Sequence, residues 1–399
     1  MNTHHRVLII GGGSAGISVA SRLRNKKIED VAILEPATTH YYQPLWTLVG
    51  GGLAPAKDSK KPMSDVIPRG ITWIPRAAQD IDPNTKTVTC ADGSTVTYDY
   101  LVVAAGIQLD WDSVPGMREA ITSPQASSNY GYDLAPHTWD IIQNTRSGTA
   151  VFTMPSGPIK CAGAPQKIAY LACDYWRRQG VLDNIRVVLV LPTPGMFGVK
   201  EFSDELEKVV RRYGIEVRFS SEVTEIDSIN RSVTITSLDG SAETEKLDYN
   251  MLHTVPRQSA PDWLKATELA VPDTATGYVD IDKNTMQHVR FPNVFALGDC
   301  GSSPNSKTGA AIRAQAPVVA ANLQAAMEGR PLPASYDGYA SCPLTTARDK
   351  ILIAEFDYTM QPHPTLPLIN TLHEIRDFGQ FKRRLLPNMY WHFMLRGLA

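Results

Sequence analysis

The chain has 399 residues, a formal net charge of -2, 43% hydrophobic residues and 20% charged residues. That length exceeds one typical core and suits two or three lobes, and the near-neutral charge argues against a general nucleic-acid binder. No apolar run reaches the eighteen residues of a membrane-crossing helix, and a strand signal directly after Met1 to Arg6 leaves no room for a signal peptide.

Five cysteines occur, Cys90, Cys161, Cys173, Cys300 and Cys342. An odd number in a chain this long is not a secreted disulfide framework. No CxxC or CxxCH is present, so neither a metal site, a thioredoxin-like motif nor an attached haem is expected.

In chain order, Val7 to Ile10 is a short apolar run that reads as a buried parallel strand. It leads into Gly11-Gly12-Gly13-Ser14-Ala15-Gly16, in which Gly11, Gly13 and Gly16 satisfy GxGxxG. The glycines permit a tight turn, close approach of backbone to a pyrophosphate, and helix-on-strand packing. Ser14 to Arg24 then has helical spacing, with its positive end toward the phosphates. The strand Val31 to Leu34 ends at Glu35, a carboxylate placed for ribose hydroxyls. The alternative, a glycine loop without a ligand, lacks a reason for this ordered context. The motif alone does not separate FAD from NAD.

The stretch 113–275 again has βαβ periodicity. Ala150 to Met154 and Val187 to Leu191 read as strands, and Ala164 to Arg178 as the helix between them. Where a nicotinamide fingerprint belongs, the chain has Pro155 to Gly163, with no GxGxxG. This lobe is expected to keep the shape without the nicotinamide function. Cys161 stands just before the helix, where the helix end and Lys160 and Lys167 favour a thiolate. Its other reading is a small buried residue. Cys173, inside the helix pattern, and Cys90, in Thr87 to Cys90, read as packing residues. Cys300 is assigned no role.

Two further segments carry a resemblance. Tyr98 to Gly106 and Asn293 to Asp299 resemble signatures of the glutathione-reductase-like flavoproteins with two dinucleotide-binding domains. The implied fold class is α/β: two Rossmann-like domains, the FAD lobe discontinuous, plus a C-terminal membrane-facing segment. The expected division is 1–112 and 276–335 for the FAD lobe, 113–275 for the second domain with Cys161, and 336–399 for the C-terminal region with Cys342.

The resemblance becomes specific in Tyr41 to Gly50, Lys160 to Lys167 and Tyr336 to Leu344, which are similar to sulfide:quinone oxidoreductases of the type found in mitochondria and some bacteria. It implies that sulfide opens a sulfur bridge between Cys161 and Cys342. By match, Cys161 carries the persulfide and Cys342 meets the flavin; the sulfur passes to an acceptor such as sulfite or glutathione, and the electrons to a membrane quinone. It implies cofactor contacts from Gly11, Gly13, Ser14, Ala15, Gly16, Glu35, Gln43, Ala78, Ala105, Gly106, Gly298, Asp299, Lys307 and Thr308. Lys307 is the expected partner of the reduced ring. Lys167 and Lys382 match lysines that assist the chemistry, with a solvated surface charge as the other reading of each. Family members with covalent flavin use a further cysteine early in the chain. None lies between Cys90 and Cys161, so FAD is expected to be non-covalent.

Residues 378–399 combine Phe378, Phe381, Tyr390, Trp391 and Phe393 with Lys382, Arg383, Arg384 and Arg396, and no acid. That mixture suits a membrane interface, at the bacterial or mitochondrial inner membrane, reached peripherally. The competing reading is a helix packed on the FAD lobe or on another copy in a homo-oligomer. The functional rivals are an NADH:quinone reductase, which needs a second glycine fingerprint; a flavocytochrome-type sulfide dehydrogenase, which needs a haem partner; and a non-enzymatic redox sensor, which would not be reoxidised by quinone.

Overall fold

The computed structural model describes residues 3–365, 370–376 and 381–399. Its first half is built around the strand β1 (Thr3–Ile10), whose inner four residues are buried on all sides. Helix α1 (Ser14–Asn25) follows, then β2 (Val31–Leu34), parallel to β1 with Val7 opposite Val31. A continuous apolar run without alternation is what a strand needs when both sheet faces are covered.

The sheet runs Thr72–Ile74, β2, β1, Thr95–Val103, Thr87–Cys90, Ala78–Asp82. Strand Val294–Ala296, far along the chain, adds in parallel to Thr95–Val103, with Phe295 opposite Val102. One sheet therefore draws on residues nearly two hundred positions apart. From it the chain turns through Gly298–Cys300 and, after a short loop, enters the helix Gly309–Met327, which packs beside α1.

A second sheet is wholly parallel and runs Ala126–Ser127, Met251–His253, Gly148–Thr153, Ile185–Val190, Glu216–Arg218. The helix Ala164–Arg178 crosses over it and buries Ile168, Leu171, Ala172, Cys173 and Trp176. Its opposite side receives the strand Ala340–Ala347 of a C-terminal antiparallel sheet. This packing brings Cys342 to the start of the helix, where Cys161 stands.

The C-terminal segment departs from the sequence expectation in one respect. The turn Met394–Arg396 lies along α1, and the helix Leu386–His392 before it sets Tyr390 and Trp391 against His40 and Tyr42, so that Tyr390, Trp391, Met394 and Leu395 are buried. Ser21 Oγ donates to the Leu395 carbonyl at 2.5 Å, Asn25 Nδ2 to the Arg396 carbonyl at 3.0 Å, and Arg22 to the Ala399 carbonyl. Packing on the first lobe thus accounts for part of this segment. Leu385, Phe393 and Leu398 remain exposed beside Arg383, Arg384 and Arg396. Phe378 lies outside the described residues. Among the described residues no helix is long and apolar enough to cross a membrane.

Candidate active site

A cleft of about 280 Å³ runs from the glycine turn to the helix Ala164–Arg178. Its lining extends from the glycine turn to the cysteine, an elongated shape that suits a dinucleotide. Gly12, Gly13, Ser14, Ala15 and Glu35 form one end; Lys160, Cys161, Lys167, Asp299 and Lys307 line the other.

The glycine turn has the features the motif demands. Gly11 has φ +99°, and a Cβ there would sit 2.3 Å from the Ala104 carbonyl oxygen. A Cβ on Gly16 would meet the Gly11 carbonyl at 1.9 Å, so helix and turn touch through hydrogen alone. Gly13, Gly106 and Gly309, by contrast, face open space. Glu35 ends β2 and accepts from the Gly12 and Ala37 amides at 2.7 and 2.6 Å.

At the far end, Thr308 caps the helix Gly309–Met327 by accepting from the Ala311 amide at 3.1 Å. A second helix N-terminus therefore points at the cleft, lined there by Thr308, Gly309 and Ile312. Asp299 lies between these two helix ends. Burial pushes its carboxyl above the ordinary value, while the Lys307 and Lys160 charges oppose that. Gly11, Gly16, Ala105 and Gly298 support the cleft from behind. Ala78 does not reach it: it pairs with Cys90 at the sheet margin, away from the lining residues.

The segment Pro155–Gly163 occupies the place of a second phosphate loop and turns toward the FAD lobe. The Cys161 amide donates to the Lys307 carbonyl at 2.8 Å, and the Lys160 amide to Gln258 Oε1 at 2.9 Å. Cys161 has φ +51°, a left-handed conformation unusual for a non-glycine residue, which is one signature of a functional position. Its sulfur lies 3.6 Å from Cys342 Sγ and 3.0 Å from Lys167 Nζ.

Both neighbours act on the thiol. The hydrogen bond from Cys342 holds Cys161 well below the usual thiol range; burial opposes this, and Lys167 adds to it. The same bond and burial push Cys342 well up. Burial pulls Lys167 down, but the charges of Cys161 and Cys342 outweigh that and raise it. Lys382 is also buried; its ammonium donates to Thr345 Oγ1 at 2.7 Å, and its charge lowers both thiols. The solvated-charge reading fails for both lysines.

Other expectations shift. Lys160 does not bond the thiol: its ammonium donates to Gln43 Oε1 at 2.7 Å over the rings of Trp46 and Tyr130. Burial draws it down to about 8. Lys307 is pinned to the Gly301 carbonyl at 3.0 Å and over the Tyr278 ring. Cys161 lines the cleft and Cys342, expected to meet the flavin, stands behind it outside the lining. Cys173 and Cys90 are fully buried, as packing residues should be, and Cys300 donates to the Val103 carbonyl beneath the cleft.

Sequence reasoning passed over Asn129. It is 5% exposed, lines the cleft, and neither Oδ1 nor Nδ2 has a partner within the protein. Buried polar atoms are nearly always satisfied, so this unpaired amide at the cleft wall is a candidate for a ligand contact. No pattern around Ser127 to Tyr130 signals it.

A flavin adenine dinucleotide fits these residues: open glycines for the pyrophosphate, Glu35 for the ribose, two helix ends, and an orphaned amide beside a cysteine. A dinucleotide cleft that ends on a reactive cysteine pair defines a flavin-dependent disulfide oxidoreductase. Residues 5–154 and 156–317 match the family model of the pyridine nucleotide-disulphide oxidoreductases. The mitochondrial sulfide:quinone oxidoreductase of Mus musculus is 38% identical over 395 residues, covering 99% of this chain and 87% of that protein. That of Dictyostelium discoideum is 40% identical over 396 residues, with 98% and 86% covered. The X-ray structure of the Aquifex aeolicus sulfide:quinone oxidoreductase superposes with a TM-score of 0.77 at 20% identity, over 100% of this chain and 92% of that chain, a likeness of fold. The chain belongs to the sulfide:quinone oxidoreductase family.

Proposed function

We propose that this enzyme oxidises sulfide through Cys161 and Cys342 and delivers the electrons by way of FAD to a membrane quinone. The observation that carries this reading is the Cys161 sulfur: it faces the dinucleotide cleft on one side and Cys342 on the other.

In this reading the two cysteines do different work. In the oxidised enzyme they form a disulfide, which from 3.6 Å needs a closing movement of about 1.5 Å. Hydrosulfide attacks the Cys342 sulfur. A new S–S bond forms there, the bond between the cysteines breaks, and its electron pair leaves on Cys161. A low-pKa thiol is the better leaving group, and Cys161 is the one so tuned. Lys167 holds the resulting thiolate. A nucleophilic acceptor such as sulfite or glutathione then removes the outer sulfur, leaving Cys342 as a thiol. Re-forming the disulfide from the Cys161 thiolate and the Cys342 thiol releases two electrons and one proton, and Cys161 is the sulfur placed to pass the electrons into the cleft. Bound FAD supplies the two-electron acceptor that returns them to quinone.

FAD is held without a covalent link to a further cysteine, because Cys161 alone among the described cysteines lines the cleft. Asn129 and Lys160 are the groups we assign to the ring. The exposed Leu385, Phe393 and Leu398 with their neighbouring arginines serve peripheral attachment to an anionic membrane surface.

The test is anaerobic mixing of the oxidised, FAD-loaded protein with sulfide, followed by a short-chain quinone. Bleaching of the visible flavin absorbance by sulfide and its recovery with quinone are expected. Bleaching by NADH and not by sulfide would overturn the reading.

A further inference from the structure

His40, in the strand Thr39–Tyr41, sits under the glycine turn with its side chain almost wholly buried. Its Nδ1 is 3.0 Å from the Gly12 carbonyl oxygen and its Nε2 is 2.5 Å from the Tyr390 hydroxyl. The Tyr390 hydroxyl is in turn 2.7 Å from Ser14 Oγ. The directions of these bonds follow from the donor inventory. A carbonyl only accepts, so Nδ1 carries the proton. In a neutral ring Nε2 is then an acceptor, and burial keeps this ring neutral by driving its pKa down to about 4. Tyr390 must therefore donate to His40, and Ser14 must donate to Tyr390. Each ring nitrogen is used once, and the Tyr390 hydroxyl twice, as donor to His40 and as acceptor from Ser14.

The chain of bonds closes on itself, because Gly12 and Ser14 belong to the same turn. Its ends are tied from outside by a residue 376 positions along the sequence. The Tyr390 ring is clamped as well: it packs 4.5 Å from the Tyr42 ring and 4.9 Å from the Trp391 ring.

We propose that Tyr390, on the C-terminal helix, is a positioning residue for the cofactor: through Ser14 and His40 it fixes the glycine turn in the shape that receives the FAD pyrophosphate. The hydroxyl of Ser14 is spent on Tyr390, which holds the Ser14 side chain in one rotamer at the cleft wall. The Gly12 carbonyl is spent on His40, which holds the first peptide of the turn. Without these ties the turn, rich in glycine, must be ordered by the ligand at the ligand's cost. The C-terminal helix thus acts on cofactor retention as well as on the packing of α1.

The inference rests on the flavin reading, and the experiment separates the two. FAD affinity and release rate are measured on the full-length protein for wild type, Tyr390→Phe, Ser14→Ala and the double variant. Tyr390→Phe keeps the ring packing and removes only the hydroxyl. A network of neutral hydrogen bonds worth about 1 kcal/mol corresponds to an FAD dissociation constant raised about fivefold. The double variant is expected to lose no more than the worse single variant, the mark of groups acting as one network. If Tyr390→Phe holds FAD like wild type, or if the two losses simply add, the proposal is wrong. Should Tyr390→Phe not fold, His40→Gln takes its place in the same cycle. Failure of wild type itself to bind FAD would instead sink the functional reading.

Discussion

The Lys167 ammonium lies 3.0 Å from the Cys161 sulfur, and the lysine is itself buried. A buried cation this close to a thiol is both a stabiliser of the thiolate and a charge that needs it. Lys167→Met should therefore move the pH profile of Cys161 alkylation to higher pH. Charge-assisted hydrogen bonds contribute about 1.5–3 kcal/mol, so sulfide-driven flavin reduction should slow at least about tenfold. An unchanged alkylation profile would remove Lys167 from the mechanism.

The two cysteines should part company spectroscopically. In Cys342→Ser the Cys161 thiolate remains against the ring, and a long-wavelength thiolate–flavin absorption band is expected. In Cys161→Ser that band should be missing, although both variants fail to bleach with sulfide. A band in Cys161→Ser and none in Cys342→Ser would return the roles to the order that resemblance implied.

Gly163 keeps the cysteine pair together by having no side chain. A Cβ there would lie 2.5 Å from Cys342 Sγ and 2.6 Å from a Leu344 methyl. Gly163→Ala should cost about 1–3 kcal/mol of stability through overpacking and should suppress sulfide reduction while FAD still binds. Thermal unfolding and flavin absorbance of the same preparation check both halves.

Asn129 is expected to report on the flavin ring. Replacing it by leucine removes the unpaired amide, so the FAD-free protein should be no less stable. The FAD dissociation constant should rise by about tenfold, and the flavin absorption maxima and reduction potential should shift. A variant with unaltered spectrum, potential and affinity would place the amide away from the ring.

Acid should destabilise the protein through its buried histidines. His40 is held down to about 4 and His253 to about 3, against an ordinary 6.5. Between pH 6.5 and 4 the unfolded chain binds a proton at His40 that the folded chain refuses, so stability falls as pH falls through that window. For His40 the loss approaches about 3 kcal/mol by pH 4. Denaturant titrations should show a shallower pH dependence in His40→Gln than in wild type.

The glycine turn, Glu35 and Asp299 were legible in the sequence because each depends on a few neighbouring residues in a fixed order. The strands and crossover helix around Cys161 were legible for the same reason. The assignment of Lys160 to the thiol failed on direction: successive residues in an irregular loop point apart, and Cys161's left-handed backbone sends its sulfur to Lys167 while Lys160 goes to Gln43. The action of Lys382 on Cys161 and the bond from Tyr390 to Ser14 join segments hundreds of residues apart, and no periodicity carries that information. The C-terminal aromatics were read as one surface, whereas the helix divides them between α1 and solvent.

The pairing of Val294–Ala296 with Thr95–Val103 bears on how the enzyme is made. During synthesis the glycine turn leaves the ribosome early, yet the strand that completes its sheet emerges only after the whole second lobe, and Tyr390 among the last ten residues. The first lobe cannot be completed until the second has been made, so folding cannot proceed as two units in succession from the N-terminus. Cofactor loading must wait for release of the finished chain. Until then Cys161 has no Lys307 carbonyl to hold it and no Cys342 beside it, and the nascent enzyme carries a thiol not yet assembled for sulfide.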